Sequence, residues 1–313
     1  MIAGHPPAVT ARGVKNEARV ALGLQLTVAY CPLARGDVKL PQDEVPTRYE
    51  PSWRSILMPP RHYLLMEANH RQLLQSPPQV AVLPWGATEA HNQHLPYGTD
   101  VIEATRLAER AAELADAQDA RVVVLPTVPF GNDEQQLDQV CTISFTTATA
   151  QAVLHDVVRS LVRQGIDRLV LVNGHGGNQF KPLIRDLQGE FPILIVLANF
   201  YEMVPEVPGP LFENPGDHAD EMETSIMLYL APELVELEQA GPGKRNPSQI
   251  DALAQAGVWT PRPWSAVHPD TGCGDPRQAT AEKGAHYFAA VSAALADVLV
   301  GLAQAKKGEL PYL

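Results

Sequence analysis

The chain has 313 residues, 45% of them hydrophobic but only 6% aromatic, enough for a sizeable core built mainly from Leu, Val, Ile and Ala. Its formal net charge of −12 argues against nucleic acid or an anionic membrane as a partner and suits a cation-binding protein. Three cysteines, Cys31, Cys141 and Cys273, lie far apart with no Cys-x-x-Cys pair, which argues against a disulfide framework or a cysteine zinc knuckle and fits a reducing, cytoplasmic compartment.

Residues 1–57 carry scattered prolines, Pro6, Pro7, Pro32, Pro41, Pro46 and Pro51, and no sustained periodicity. They read as an N-terminal extension, loose or partly disordered, or as sequence upstream of a true start at Met58. No charged-then-apolar leader pattern is present, and the apolar stretch from Val20 to Tyr30 is too short to span a bilayer. The catalytic domain is expected over 58–313. There the spacing predicts strands at Gln79–Trp85, Arg121–Pro126, Arg168–Asn173 and Pro192–Asn199. Helices are predicted at Val101–Ala117, Thr147–Gln164, Gln179–Gly189, Glu221–Leu230 and Ala281–Ala305. Uniformly apolar strands alternating with helices imply a layered α/β domain with a mainly parallel sheet. Ligands of such sheets bind beyond the carboxyl ends of the strands.

Three segments after those ends hold metal-ligating residue types. The first runs from Gly86 to Asp100 and contains Glu89, His91, His94 and Asp100. Carboxylates and imidazoles are the donors that Zn, Mn or Fe accept, and residues i and i+2 of an extended segment point the same way. A polar surface loop with satisfied hydrogen bonds explains the same residues. The second segment is Asn173-Gly174-His175-Gly176-Gly177-Asn178, a sharp strand-to-helix turn with backbone N–H groups free for an anion. The third, Asp217 to Ser225, holds His218, Glu221 and Glu223. Glu221 suits the solvated, dipole-favoured first helical turn. Glu223, ahead of apolar residues, is less easily explained that way. Glu89, His91, Asp100, His175 and Glu223 make five ligands, enough for two coordination shells if one carboxylate bridges.

These segments resemble the signature of the creatininase family. Gly86 to Asp100 matches its Gly-x-Thr-Glu-x-His-x-x-His-Leu-Pro-x-Gly-Thr-Asp string, and Asn173–Asn178 its Asn-Gly-His-Gly-Gly-Asn turn. His218–Ser225 is similar to its His-Ala-Gly-x-x-Glu-Thr-Ser element, and Gly272–Gly284 to a fourth segment before the last helix. The resemblance implies a three-layer α/β/α fold, a homo-oligomer such as a hexamer, and one or two divalent metals per chain, with Zn ahead of Mn or Fe. It implies that Glu89, His91, Asp100 and His175 bind metal and that Asp100 bridges. In true creatininases Tyr and Glu follow the glycine-turn histidine, and that Glu is a ligand. Gly176 and Gly177 stand there in this chain, so the chain resembles a branch in which Glu223 is the replacement. Asn214 and Pro215 replace the Trp-Asp of creatininases, and a Gly-x-x-x-x-His segment reads Gly131 to Gln136.

The expected enzyme is an amidohydrolase acting on non-peptide, even cyclic, C–N bonds by metal-activated water, with a peptide substrate as the open alternative. His218 is the candidate proton donor to the leaving nitrogen, or else a hydrogen-bond support behind a ligand. His94 is expected behind the ligands or in the pocket wall. The rival from another class is a non-catalytic metal- or metabolite-binding protein on the same fold. A serine hydrolase lacks its Gly-x-Ser-x-Gly elbow here.

Overall fold

The computed structural model describes residues 61–306, so the expected extension over 1–57 lies outside the described residues. Short α1 (His70–Gln75) leads to β1 (Val80–Trp85), α2 (Thr99–Asp116), β2 (Val122–Val124) and α3 (Thr147–Arg163). Then come β3 (Arg168–Asn173), α4 (Phe180–Glu190), β4 (Leu194–Asn199), α5 (Pro208–Leu211), α6 (Glu221–Leu230), α7 (Trp264–Val267) and α8 (Ala281–Gln304).

The four strands are all parallel, in the order β2-β1-β3-β4. Every residue of β1 and β3 is buried, because both are central strands covered on both faces. Side-chain alternation sorts them into two cores. Val80, Val82, Val170 and Val172 face Ala108, Ala111, Ala112 and Ala115 of α2 and Leu295 and Leu299 of α8. Ala81, Leu83, Leu169 and Leu171 face Leu154 and Val158 of α3 and Phe180, Leu183 and Leu187 of α4. The result is the expected three-layer α/β/α sandwich. Helix α8 is long and apolar enough to cross a bilayer by length and composition, but it packs against α2 and α6. The predicted second strand shrinks to three residues, because only Val122–Val124 pair with β1 before the chain turns away.

The strand order places the site. From β1 the chain passes through α2 to β2 on one side, then returns through α3 to β3 on the other. The crevice between the carboxyl ends of β1 and β3 is therefore the topological switch point.

Candidate metal centre

Two glycines bring the first turn of α2 into this crevice. A Cβ at Gly86, just after β1, would lie 2.6 Å from Val101 N, and one at Gly174, just after β3, 2.8 Å from Asp100 O. Their bare backbones let Asp100 sit between the two strand ends. Glu89 and His91 reach the same point from the loop after β1. The expected extended geometry is replaced there by a tight loop, with Asn92 in the left-handed region at φ 52°. His175 enters from the β3 turn, and Glu223 from the first turn of α6, whose N-terminus Asp220 caps through Met222 N and Glu223 N.

All five expected residues converge. His175 Nδ1 lies 2.7 Å from Glu89 Oε1 and 3.2 Å from Asp100 Oδ2. His91 Nε2 lies 2.8 Å from Asp100 Oδ1, while its Nδ1 donates to the Glu89 carbonyl at 3.1 Å. Two triads of inward-facing ligand atoms result, each within 4.8 Å: Glu89, Asp100 and His175, and His91, Asp100 and Glu223. Asp100 belongs to both and turns one oxygen to each histidine. A third triad, Glu89, His91 and His218, has the same compactness. Glu89 Oε1 and Asp100 Oδ2 accept no hydrogen bond among the described residues, although both are buried. Buried carboxylate oxygens left this way are costly unless a cation or a proton meets them. Oxygen and imidazole donors in this arrangement fit a divalent metal.

Electrostatics agree with that fit. Burial pushes the Glu89 carboxyl up to about 7 against the opposing pull of His175. Burial, with Asp100 and Asp220 adding to it and His91 opposing, holds Glu223 up at about 8. Burial alone would lower His91, but Asp100, Glu89 and Glu223 outweigh it and raise it to about 10. The two histidines beside Asp100 overcome burial and hold its carboxyl below the ordinary range. Without metal, protons stand in for the missing positive charge.

The family model described as Creatininase: Creatinine amidohydrolase matches residues 66–299. The chain belongs to the creatininase family. A curated relative in Mycobacterium tuberculosis (strain CDC 1551 / Oshkosh), named Mycofactocin precursor peptide peptidase, is 31% identical over 236 residues, covering 72% of this chain and 86% of its own length. A solved structure from Bacteroides fragilis NCTC 9343, provisionally named a creatinine amidohydrolase, is 42% identical. It superposes with a TM-score of 0.74 over 78% of this chain and 98% of its own. A structure named Creatininase Mn shares the fold at 24% identity and TM-score 0.62, over 76% of this chain and 97% of its own.

The departures from the creatininase pattern have physical counterparts. At Gly177 an added Cβ would collide with His175 Nε2 and Asn132 O, so this backbone admits no side chain where creatininases place their glutamate. Gln136, standing for the histidine of the Gly-x-x-x-x-His segment, donates through Nε2 to Glu89 Oε2. Asp133 is a residue that sequence reasoning missed. It is buried, with Oδ1 3.0 Å from His175 Nε2, beside the Asn132 carbonyl at 3.1 Å. The Asn132 carbonyl, accepting from Nε2, fixes the His175 tautomer and leaves Nδ1 for Glu89 and Asp100, while the Asp133 carboxylate stands beside the same ring nitrogen as a counter-charge. Glu221 needs correction. It is buried, not solvated, and pairs with Lys283 Nζ at 2.5 Å while accepting from Glu213 N and Asn214 N. Its carboxylate pins the loop before α6 and points away from the cluster. His94 is buried behind the cluster, with Nε2 2.8 Å from Thr224 Oγ1.

His218 lies against the cluster. Its Nε2 donates to the Ala90 carbonyl at 2.8 Å, which leaves Nδ1 bare and 3.8 Å from Glu89 Oε1. Its ring stacks on His91 at 4.3 Å and meets the edge of Trp264 at 5.1 Å. Burial, then the nearby His91, pushes its pKa well below the ordinary value. Trp264 is buried, bonded through Nε1 to the Thr271 carbonyl and stacked under Arg262 at 4.4 Å. No periodic signal marks this segment in the sequence.

Proposed function

We propose that this creatininase-family protein is a metal-dependent hydrolase of amide-type C–N bonds. Its metals, zinc or manganese, would be held by Glu89, Asp100 and His175 on one side and His91, Asp100 and Glu223 on the other. The observation that carries this reading is the pair of compact ligand triads sharing Asp100. Divalent ions bound there supply Lewis-acid activation of water and of the substrate carbonyl.

The chain's own residues contribute four things. The Asn132 carbonyl, with Asp133 as counter-charge, holds His175 in one tautomer. Gln136 fixes one Glu89 oxygen and leaves Oε1 facing the centre. Trp264, buried and edge-on to the His218 ring, helps enclose the cluster and limit water. His218 is neutral, with Nδ1 toward the cluster, so it takes a proton there and passes it to the leaving nitrogen.

The substrate class we favour is a linear amide, in a peptide or a small molecule, over creatinine. The peptidase relative supports this, as does a Gly176-Gly177 turn that lacks the Tyr and Glu of true creatininases. The test is purification, metal quantification, and a panel of creatinine, N-formyl amides and short peptides. We expect one or two equivalents of metal per chain, activity abolished by chelation and restored by zinc or manganese, and creatinine the poorest substrate. Full activity without metal sinks the reading. A metal-loaded protein silent toward the whole panel supports the non-catalytic alternative.

A further inference from the structure

Beyond β4 the chain makes a short turn, Phe200–Glu202. Phe200 is fully buried in the cluster with Leu107, Ile226 and Tyr287, which anchors the turn. Tyr201 follows it, and its hydroxyl oxygen lies 3.3 Å from Asn173 Nδ2 at the carboxyl edge of β3. The two hydrogens of that amide have closer acceptors, the His175 carbonyl at 2.9 Å and Asn199 Oδ1 at 3.0 Å. The Tyr201 hydroxyl therefore receives at most a shared hydrogen. Its own hydrogen has no acceptor among the described residues.

The side chains of the cluster itself offer no free hydrogen-bond donor. Glu89, Asp100, Glu223 and Asp133 offer acceptors only when ionised. His91 directs Nδ1 to the Glu89 carbonyl, His175 directs Nε2 to Asp133 and Asn132, and His218 directs Nε2 to Ala90. Amide hydrolysis moves a π pair onto the carbonyl oxygen as the water oxygen bonds to carbon, and preorganised donors aimed at that oxygen stabilise the charge. Burial first, then Glu202, with His175 opposing and Asp100 and Glu223 adding, raises the Tyr201 hydroxyl to about 12, so it keeps its hydrogen throughout the neutral range. The Asn173 amide that it touches also donates to the His175 carbonyl at 2.9 Å, which ties the hydroxyl to the turn that carries His175.

We infer that Tyr201 donates a hydrogen bond to the substrate carbonyl oxygen as that oxygen gains negative charge, an inference that rests on the amide-hydrolase reading. The hydroxyl keeps its hydrogen; the electron pair released when the C–N bond breaks leaves with the nitrogen, which takes its proton from His218.

The test compares zinc-loaded wild type with Tyr201→Phe, which keeps the ring and deletes only the donor. Zinc content and Tm should match. On the best substrate of the panel, kcat should fall about 10²–10³-fold with KM changed little. Inorganic phosphate, a tetrahedral anion, serves as the second probe by calorimetry, and its affinity should weaken about tenfold, or ~1.4 kcal/mol. Unchanged kcat together with unchanged phosphate affinity overturns the inference. Loss of zinc in the variant also overturns it, by making Tyr201 a support of the cluster. If wild type binds zinc but cleaves nothing, the hydrolase reading fails, while the phosphate comparison still reports whether Tyr201 faces the centre.

Discussion

Exchanging Glu223 and Glu221 separately for glutamine separates metal binding from structure. The two carboxylates are two residues apart on one helix, yet they face different partners. Glu223 belongs to the triad with His91 and Asp100. Glutamine keeps its shape but removes an anionic ligand, so zinc affinity should fall by more than the ~10–100-fold lost when only an outer partner of a ligand is removed. Metal-free stability should move the other way. The Glu223 carboxyl sits at about 8, raised from 4.5. A raised carboxyl contributes its full stability below about 4.5 and loses it as pH rises to about 8. Glutamine does not ionise, so metal-free Glu223→Gln should match wild type near pH 4 and exceed it near pH 8, on the order of a few kcal/mol.

Glu221→Gln should behave oppositely. It leaves Lys283 without its anion, and breaking a fully buried pair costs about 3–5 kcal/mol. The Lys283 side chain keeps 20% exposure, so we scale the loss to about 1–3 kcal/mol. That lowers Tm by roughly 2–4 °C per kcal/mol in a domain of this size, with zinc retained. The assay is metal content by mass spectrometry beside thermal melts of the metal-free proteins at both pH values. A Glu221→Gln protein that loses zinc while Glu223→Gln keeps it refutes the assignment.

Three further outcomes are expected. Zinc binding at pH 7 should release protons, because Glu89, Glu223 and His91, at about 7, 8 and 10, must shed them to become ligands. Affinity should therefore climb with pH, and calorimetry in buffers of differing ionisation enthalpy would count the protons; none released contradicts the protonated resting cluster. Asp133→Asn should weaken zinc binding about 10–100-fold without unfolding the protein, by loosening His175, as competition with a chelating dye would measure. Gly177→Ala should lose both stability and zinc, because its methyl meets His175 Nε2 and Asn132 O; normal zinc content in that variant would mean that the turn relaxes freely.

The sequence made the α/β layering and the cluster readable for the same reason. Local strings such as Arg168–Asn173 carry their own periodicity, and the strand ends they define deliver Glu89, Asp100 and His175 to one edge. Helix α6 was bounded correctly at Glu221–Leu230. The burial of Glu221 was not foreseen, because the cover over it comes from Lys283 and the loop at Glu213 and Asn214, distant in sequence. Asp133, and the contact that Gln136 makes, stayed hidden for a related reason. Each residue sits in an aperiodic loop and gains its role only when that loop folds over His175 and Glu89. The stretch between α6 and α8, with Trp264 in it, consists of short turns and irregular chain that leave no periodic trace.

The two triads mature at different moments along the chain. Glu89, Asp100 and His175 all precede α4 and are gathered by β1, β3 and the start of α2, so this half exists once the central strands pair. The other half waits for Glu223. It is complete only after α6 docks against α8, where Gly284 lets the two helices touch at the Ser225 carbonyl. The second triad therefore depends on the docking of α6 against α8, and a local opening of those two helices would disrupt it while leaving the first triad in place.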